Sequence, residues 1–183
     1  MGNSKLTKLD FSKVILEEAI VVESSIKNPD KIFDRNLIDS FKTEFNLNPN
    51  FSIEQKAIKI DLKVHCIALN EEGNTLRIEG KFFLEFTFSV EEMEFHLVPI
   101  GKENKMMPSM ALMAPLAGTA YSTARGMIIM KVLGTPLEGF SMPILNVQAL
   151  FSNTKDIENE KKDSIKNKDQ PKRQGTTTKS KIL

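Results

Sequence analysis

The sequence predicts an α+β protein in which a four-stranded antiparallel sheet is followed by a long helix and a short C-terminal helix. Three observations lead to this prediction. Two neighbouring segments alternate between apolar and polar residues, a short turn containing glycine joins them, and a long segment rich in helix-forming residues begins near Pro115. The order is strands first and helices second, which is typical of helices packed on the apolar side of an antiparallel sheet.

The alternating segments are residues 58–68 and 75–90, in which every second side chain is apolar or glycine and most of the others are polar. Alternation with period two predicts strands that are buried on one face. Residues 70–73 lie between them, and Gly73 suits a turn that requires a positive φ. We therefore predict a long antiparallel hairpin with one apolar and one polar face.

Residues 12–23 are interpreted as a further strand, although their centre, Leu16-Glu-Glu-Ala-Ile20, is equally compatible with a helix. The side chains predicted to share one face of this strand are Val14, Leu16, Ile20 and Val22. Residues 24–41 are predicted to form a loop with a helical turn. Residues 43–53 are predicted to form a short strand, which Pro49 confines to the edge of the sheet.

The predicted long helix runs from Pro115 to about Leu133 and contains two glycines and several small residues. Each glycine in a helix interior costs about 1 kcal/mol relative to alanine. Gly118, Ser122 and Gly126 recur at intervals of four and form one narrow line, the small-residue row. Such a row permits close approach of a second backbone. We predict a helix contact between subunits, with packing inside one domain as the alternative.

The helix is predicted to end at Gly134-Thr-Pro136, where an apolar loop, Leu137-Glu-Gly-Phe-Ser-Met-Pro143, begins. Residues 144–151 suggest a short second helix. Residues 1–151 have 16 Lys/Arg against 19 Asp/Glu, a net of −3, whereas residues 152–183 have 9 against 5, a net of +4. This tail has few large apolar residues, so we predict one domain over 1–151 and a disordered charged tail over 152–183.

Composition excludes several classes of protein. The chain has 183 residues, of which 40% are hydrophobic, and a net charge of +1, so no global field attracts nucleic acid. The single cysteine, Cys66, rules out an internal disulfide and fits the cytoplasm. The start of the chain has no apolar run typical of a signal peptide. The most apolar stretch, 106–133, contains Pro and Arg125, which argues against a membrane segment.

The sequence also contains no arrangement of residues that is typical of a catalytic site. His65 and His96 are far apart, Cys66 alternates into the apolar face, and neither a P-loop nor a dinucleotide fingerprint occurs. The chain is instead rich in methionine in its second half. Methionine suits surfaces that accept varied partners, although core filling is the alternative, particularly for Met127 and Met130. We therefore expect no enzyme, no cofactor and no metal.

The last apolar segment carries a resemblance to a known family. Ser141-Met-Pro-Ile-Leu-Asn-Val-Gln-Ala-Leu-Phe151 is similar to the Pro-x-Asn-Phe-x-Ala-Leu-Phe pattern of the SecB protein-export chaperones, with Val147 in place of the usual aromatic residue. Met113-Ala-Pro-Leu-Ala is similar to the opening of that family's long helix, and Thr123-Ala-Arg-Gly126 falls on its centre. The retained pattern residues are Pro143, Asn146, Ala149, Leu150 and Phe151. The resemblance covers about residues 10–151.

The resemblance implies a cytoplasmic, ATP-independent chaperone that binds unfolded precursor proteins for export and forms a homotetramer, a dimer of dimers. It implies that clients bind in hydrophobic grooves beside the loop and second helix, at Phe140, Met142, Ile144, Leu150 and Phe151. It also implies docking on the SecA motor, which the positively charged tail does not favour. The alternatives are a dedicated chaperone or adaptor for a single partner of the antitoxin type, and a carrier of a small molecule or lipid.

Overall fold

The structure is a computed structural model, and it describes residues 10–28, 34–101 and 104–145. Within these ranges, four antiparallel strands form the main sheet in the order β1-β4-β3-β2, a two-stranded sheet follows, and one long helix and a loop complete the described part. The elements are β1 (Val14–Lys27), β2 (Ser40–Ser52), β3 (Ala57–Leu69), β4 (Thr75–Val90), β5 (Leu97–Ile100), β6 (Lys105–Pro108) and α1 (Met110–Val132). The predicted fold class is confirmed for the sheet and the long helix. The predicted second helix and the tail lie outside the described residues from residue 146 onward.

The β3–β4 hairpin is as predicted. Its strands pair in the register Leu62↔Leu84, and the backbone N–H of Gly73 donates to the carbonyl oxygen of Asn70 at 2.9 Å. Gly73 has a φ of +78°, as the turn requires. Side chains alternate between buried and partly exposed along both strands. The apolar face is called the inner face below, and the opposite one the outer face.

Strand β1 is a strand and not a helix, but the predicted faces are wrong beyond Leu16. Two bulges, between Leu16 and Glu18 and between Val21 and Glu23, each insert one residue against β4. Each bulge reverses the alternation of the side chains that follow it. Val21 therefore lies opposite Leu84 of the inner face, whereas Ile20 lies opposite Glu85 on the outer face.

Strand β2 forms the other edge of the sheet and contains Pro49, as predicted. It begins at Ser40, and β1 extends to Lys27, so the predicted loop over 24–41 is shorter than expected. A short 3-10 helix, Arg35–Leu37, supplies the predicted helical turn. The β5–β6 hairpin was not predicted, because its strands are only four residues long and each contains a proline.

Helix α1 begins at Met110, five residues before the predicted start. Residues 110–114 are Met-Ala-Leu-Met-Ala, all good helix formers, and they place Pro115 inside the helix. Proline there leaves the carbonyl of Ala111 without its helical donor. Burial of Leu112 and Leu116 against the sheet offsets this cost, because each fully buried side chain contributes about 1.5–3 kcal/mol.

The core lies between the inner face and α1. Tyr121 of α1 meets Phe45 of β2 edge to face, with ring centroids 5.6 Å apart. The space between sheet and helix is filled by side chains with no exposed surface, among them Ile58, Ile60, Leu62, Leu84, Phe86 and Leu112. Cys66 belongs to this core, and burial raises its pKa to about 11, so its thiol is protonated at neutral pH and unreactive.

Candidate functional site

The apolar segment after α1, residues 133–145, is called the crossover loop. Three of its side chains, Leu137, Phe140 and Met142, are almost completely buried, at 0%, 1% and 1% exposure. Phe140 packs edge to face on Phe41 of β2, with ring centroids 5.4 Å apart. The loop is therefore apolar because it covers the edge of the core beside β2.

A glycine in the sheet makes room for this loop. A side-chain carbon on Gly80 of β4 would lie 2.5 Å from Cδ1 of Leu137 and 3.0 Å from Sγ of Cys66. Gly139 has a φ of +93°, a conformation that glycine adopts without strain. The position of the loop thus depends on two glycines, one in the loop and one in the strand beneath it.

Polar contacts hold the crossover loop on α1. The hydroxyl of Tyr121 donates to the carbonyl oxygen of Pro143 at 2.9 Å, and Nε of Arg125 donates to Oγ of Ser141 at 3.1 Å. Burial raises the pKa of Tyr121, which keeps its hydroxyl protonated and able to donate. These two bonds fix the loop at consecutive turns of the helix, because Tyr121 and Arg125 are four residues apart.

A groove opens between the crossover loop and the edge strand β2. It has a volume of about 420 Å³ and is lined by Phe41, Thr43, Gly139, Ser141 and Pro143. Beside it, the side chain of Ile144 is 85% exposed. Within the described ranges β2 has a neighbouring strand on one side only, so its other side offers backbone N–H and C=O groups. The groove thus combines an apolar wall with an open strand edge.

The five residues predicted to bind clients do not behave as one set. Phe140 and Met142 are core residues, so neither side chain is accessible in this conformation, and their role in client binding stays a prediction. Phe140 packs on Phe41, and Leu137 of the same loop occupies the space that Gly80 leaves. Ile144 is exposed and follows Pro143, which lines the groove. Leu150 and Phe151 lie outside the described residues. Sequence reasoning missed Phe41, whose only signal was its position at the start of an edge strand.

The small-residue row lies on the side of α1 that faces away from the sheet. Ser122 and Gly126 are exposed, Gly118 is half-buried, and a side-chain carbon on Gly126 would meet no atom within 4 Å. The C-terminal part of the same side carries exposed Ile129, Met130 and Leu133. In the single chain the row is therefore open, and its predicted role as a contact between subunits remains a prediction.

The outer face of the sheet is polar, and most of its charges are paired. Lys59 lies 2.6 Å from Glu85, and Lys27 lies 2.9 Å from Glu79, which also contacts Nε2 of His65 at 2.7 Å. Glu79 and Glu85, which would give this face an acidic character, thus each form an ion pair with a lysine of the same face. This weakens the case for a negatively charged docking surface, which the SecA expectation needs.

We expect the stability of the protein to fall as the pH drops from about 4.5 towards 2. Hydrogen bonds from Lys27 and His65 lower the pKa of Glu79 from 4.5 to about 2. Glu79 therefore binds a proton more readily in the unfolded chain than in the folded protein. The stabilisation that Glu79 contributes is present above pH 4.5 and is lost as the pH falls from 4.5 towards 2. Urea unfolding of wild type and Glu79→Gln at pH 5 and pH 3 measures the effect. Glu79→Gln should flatten the pH dependence, whereas Glu71→Gln in the exposed turn should leave it unchanged.

Within the described residues, no group of three or more His, Cys, Asp or Glu side chains is placed to hold a metal ion. His65 lies on the outer face of β3, and His96 ends a short 3-10 helix, Met93–His96, so the structure does not bring the two histidines together. No helix in the described ranges has both the length and the apolar character required to cross a bilayer.

No protein-family model matches this chain, and no curated protein matches it. Among solved structures, it is similar to the Mycobacterium tuberculosis Rv1957 SecB-like chaperone in complex with a ChAD peptide from the Rv1956 HigA1 antitoxin. That match has a TM-score of 0.49 and 9% identity and covers 74% of this chain and 92% of the other. A protein of unknown function from Streptococcus agalactiae matches with a TM-score of 0.31 and 10% identity, over 73% of this chain and 96% of the other.

Proposed function

We propose that the protein is an ATP-independent chaperone that binds unfolded polypeptide segments at the groove beside β2. The observation that carries this proposal is the groove itself, in which Phe41 and Pro143 provide apolar surface next to an open strand edge. An extended segment adds main-chain hydrogen bonds to such an edge and places alternate side chains in the groove. The resemblance of residues 141–151 to the SecB pattern supports the same function.

Binding at one groove is expected to be weak. Removing apolar surface from water contributes about 25 cal/mol per Å², but ordering an unfolded segment costs several kcal/mol. Linked grooves in one particle raise the overall affinity by on the order of 10²–10⁴. We therefore propose that the protein works as a homotetramer joined in part through the small-residue row, so that assembly contributes directly to client binding.

An aggregation assay tests the function. An unrelated enzyme unfolded by heat or denaturant should remain soluble when a several-fold excess of this protein is present without nucleotide. Aggregation that proceeds to completion under these conditions would contradict the proposal.

The groove is tested by Ile144→Asp. A carboxylate at this exposed position disfavours apolar contact without disturbing the core, so the concentration needed for half-maximal protection should rise about tenfold, equivalent to about 1.4 kcal/mol. Ile100→Asp is the matched control, because Ile100 is also an exposed isoleucine but lies on β5. An equal loss of protection in both variants would show that the client does not bind at this groove.

Two further measurements separate the narrower functions. Pull-down of many unrelated precursors supports a role in protein export, and co-purification of SecA in the same experiment tests docking on that motor. One dominant protein supports a dedicated adaptor of the antitoxin type. Native mass spectrometry tests the carrier alternative, which requires a bound small molecule in stoichiometric amount. The filled space between the inner face and α1 does not favour a carrier.

A further inference from the structure

The outer face of the sheet has a second concave site, on the side opposite the crossover loop. A cavity of about 470 Å³ lies over two adjacent rows of paired residues that cross the strands. One row is Asn46, Lys63, Phe83 and Glu23, and the next is Glu44, His65, Lys81 and Ser25. Pockets of roughly 300–1,000 Å³ are typical of sites for small or extended ligands. We call this site the outer-face trough.

Two lysines in the centre of the trough differ from the other lysines of this face. Lys27, Lys42 and Lys59 each lie within 3 Å of a carboxylate. Among the described residues, Lys63 and Lys81 form no such ion pair. They are diagonal neighbours on β3 and β4, which places their Cβ atoms somewhat less than about 7–8 Å apart. Both side chains are long enough to reach one anion lying between them.

The floor of the trough offers apolar and polar partners beside these cations. Nζ of Lys63 lies 5.2 Å from the ring centroid of Phe83. An adjoining cavity of about 230 Å³ shares Asn46, Lys63 and Phe83 with the trough and adds Asn48 and Asp61. Oδ1 of Asp61 is buried and accepts no hydrogen bond from any described residue. A buried acceptor without a donor costs free energy, so Asp61 is a local cost to stability at the floor of this adjoining cavity.

We propose that the outer-face trough binds an acidic peptide segment of a partner protein. A carboxylate of the peptide lies between Lys63 and Lys81, and an apolar side chain covers Phe83. The amides of Asn46 and Asn48, which line the adjoining cavity, pair with backbone groups of the peptide. A simple anion uses the lysines alone, whereas a peptide contacts the cations, the amides and the ring of Phe83 together.

The acids at the rim of the trough limit the length and charge pattern of the segment. Glu23 on β1 and Glu44 on β2 lie at opposite ends of the cavity. The four strands span three spacings of about 4.8 Å, or roughly 14 Å, which an extended peptide crosses in about four residues. Acidic residues are therefore favoured in the centre of the segment, over β3 and β4, and basic residues at its two ends.

This site extends the proposed function, because it lies on the other face of the sheet from the client groove. A labelled peptide with the sequence Gly-Lys-Leu-Glu-Asp-Lys-Gly, in which Leu and Asp lie on the same face of the extended chain, is a suitable probe for fluorescence anisotropy with the full chain. We expect saturable binding that weakens as salt is added. A peptide with Asn and Gln in place of Asp and Glu should bind at least tenfold more weakly.

The double variant Lys63→Gln/Lys81→Gln should lose at least tenfold in peptide affinity. Lys13→Gln/Lys59→Gln removes the same charge from lysines whose carboxylate partners, Glu92 and Glu85, do not line the trough, so it should change the affinity by less than twofold. Equal losses in the two double variants, or no saturable binding of the probe at 1 mM, would overturn the proposal. So would inorganic phosphate competing as well as the unlabelled peptide, since that outcome identifies a general anion site.

Circular dichroism and urea unfolding of both double variants establish that they are folded. The aggregation assay then separates this proposal from the proposed function. Lys63→Gln/Lys81→Gln should still protect an unfolded enzyme, because its substitutions lie away from the groove. A wild type that binds the probe but fails to protect would refute the chaperone function while leaving the trough in place.

Discussion

Replacing Gly80 with alanine should lower the free energy of unfolding by about 1–3 kcal/mol, the range typical of overpacked cores. The added carbon would lie 2.5 Å from Cδ1 of Leu137 and 2.9 Å from Cε2 of Phe82. Leu137 has no exposed surface, so it cannot move aside without displacing the crossover loop. Urea unfolding measures the change in stability, and limited proteolysis at the loop measures its displacement.

A double-mutant cycle with Leu137→Ala isolates the cause of this loss. Leu137→Ala alone removes a buried leucine and should cost about 2–5 kcal/mol. The double variant should be more stable than the sum of the two single effects, because the smaller side chain leaves room for the new methyl group. Gly126→Ala serves as the control, since no atom lies within 4 Å and alanine favours the helix. Strict additivity in the cycle would show that Gly80 is not required by the loop.

Replacing Gly126 with leucine should lower the mass of the particle in solution, while the subunit stays folded. The side chain extends from the exposed side of α1 into open space, so it does not disturb the core of one subunit. It blocks the close approach of a second helix that the small-residue row permits. Multi-angle light scattering measures the mass, and urea unfolding at low protein concentration measures the stability of the subunit.

Lys131→Leu is the matched control for this experiment. Lys131 is also exposed on α1 and is nine residues from Ser122, which places it on roughly the opposite side of the helix. Its replacement adds an apolar side chain away from the row, so the mass should not change. Gly118→Leu should act like Gly126→Leu, although Gly118 is half-buried and this variant also tests packing within the subunit. If both glycine variants keep the wild-type particle mass, the small-residue row does not form the contact between subunits.

The parts of the fold that follow from local pattern were predictable. The β3–β4 hairpin has sixteen residues of uninterrupted alternation in β4, so its faces could be assigned without knowing its partners. Strand β1 is also rich in apolar residues, but it has two bulges, whose positions are set by pairing with β4. The start of α1 was misplaced because proline is favoured at the first helical position, whereas here residues 110–114 extend the helix upstream.

The site was predictable only in part, for a different reason. An apolar loop flanked by Gly and Pro can either offer its side chains to a client or bury them in its own core, and its sequence is the same in both cases. Gly80 decides between these outcomes for Leu137, and Gly80 belongs to a strand that is distant in the sequence. The outer-face trough was not predictable because it depends on which lysines form ion pairs with carboxylates. Those ion pairs depend on the registers of three strand pairs.

The two bulges of β1 also affect how the protein behaves at high concentration. An exposed strand with a flat, regular backbone can recruit further strands and start a fibril. The inserted residues bend β1 and increase its twist, so a straight incoming strand cannot match its hydrogen-bonding groups over any long stretch. The β1 edge is thereby a poor template for polymerisation, even though it carries the exposed side chains of Ile15 and Val22.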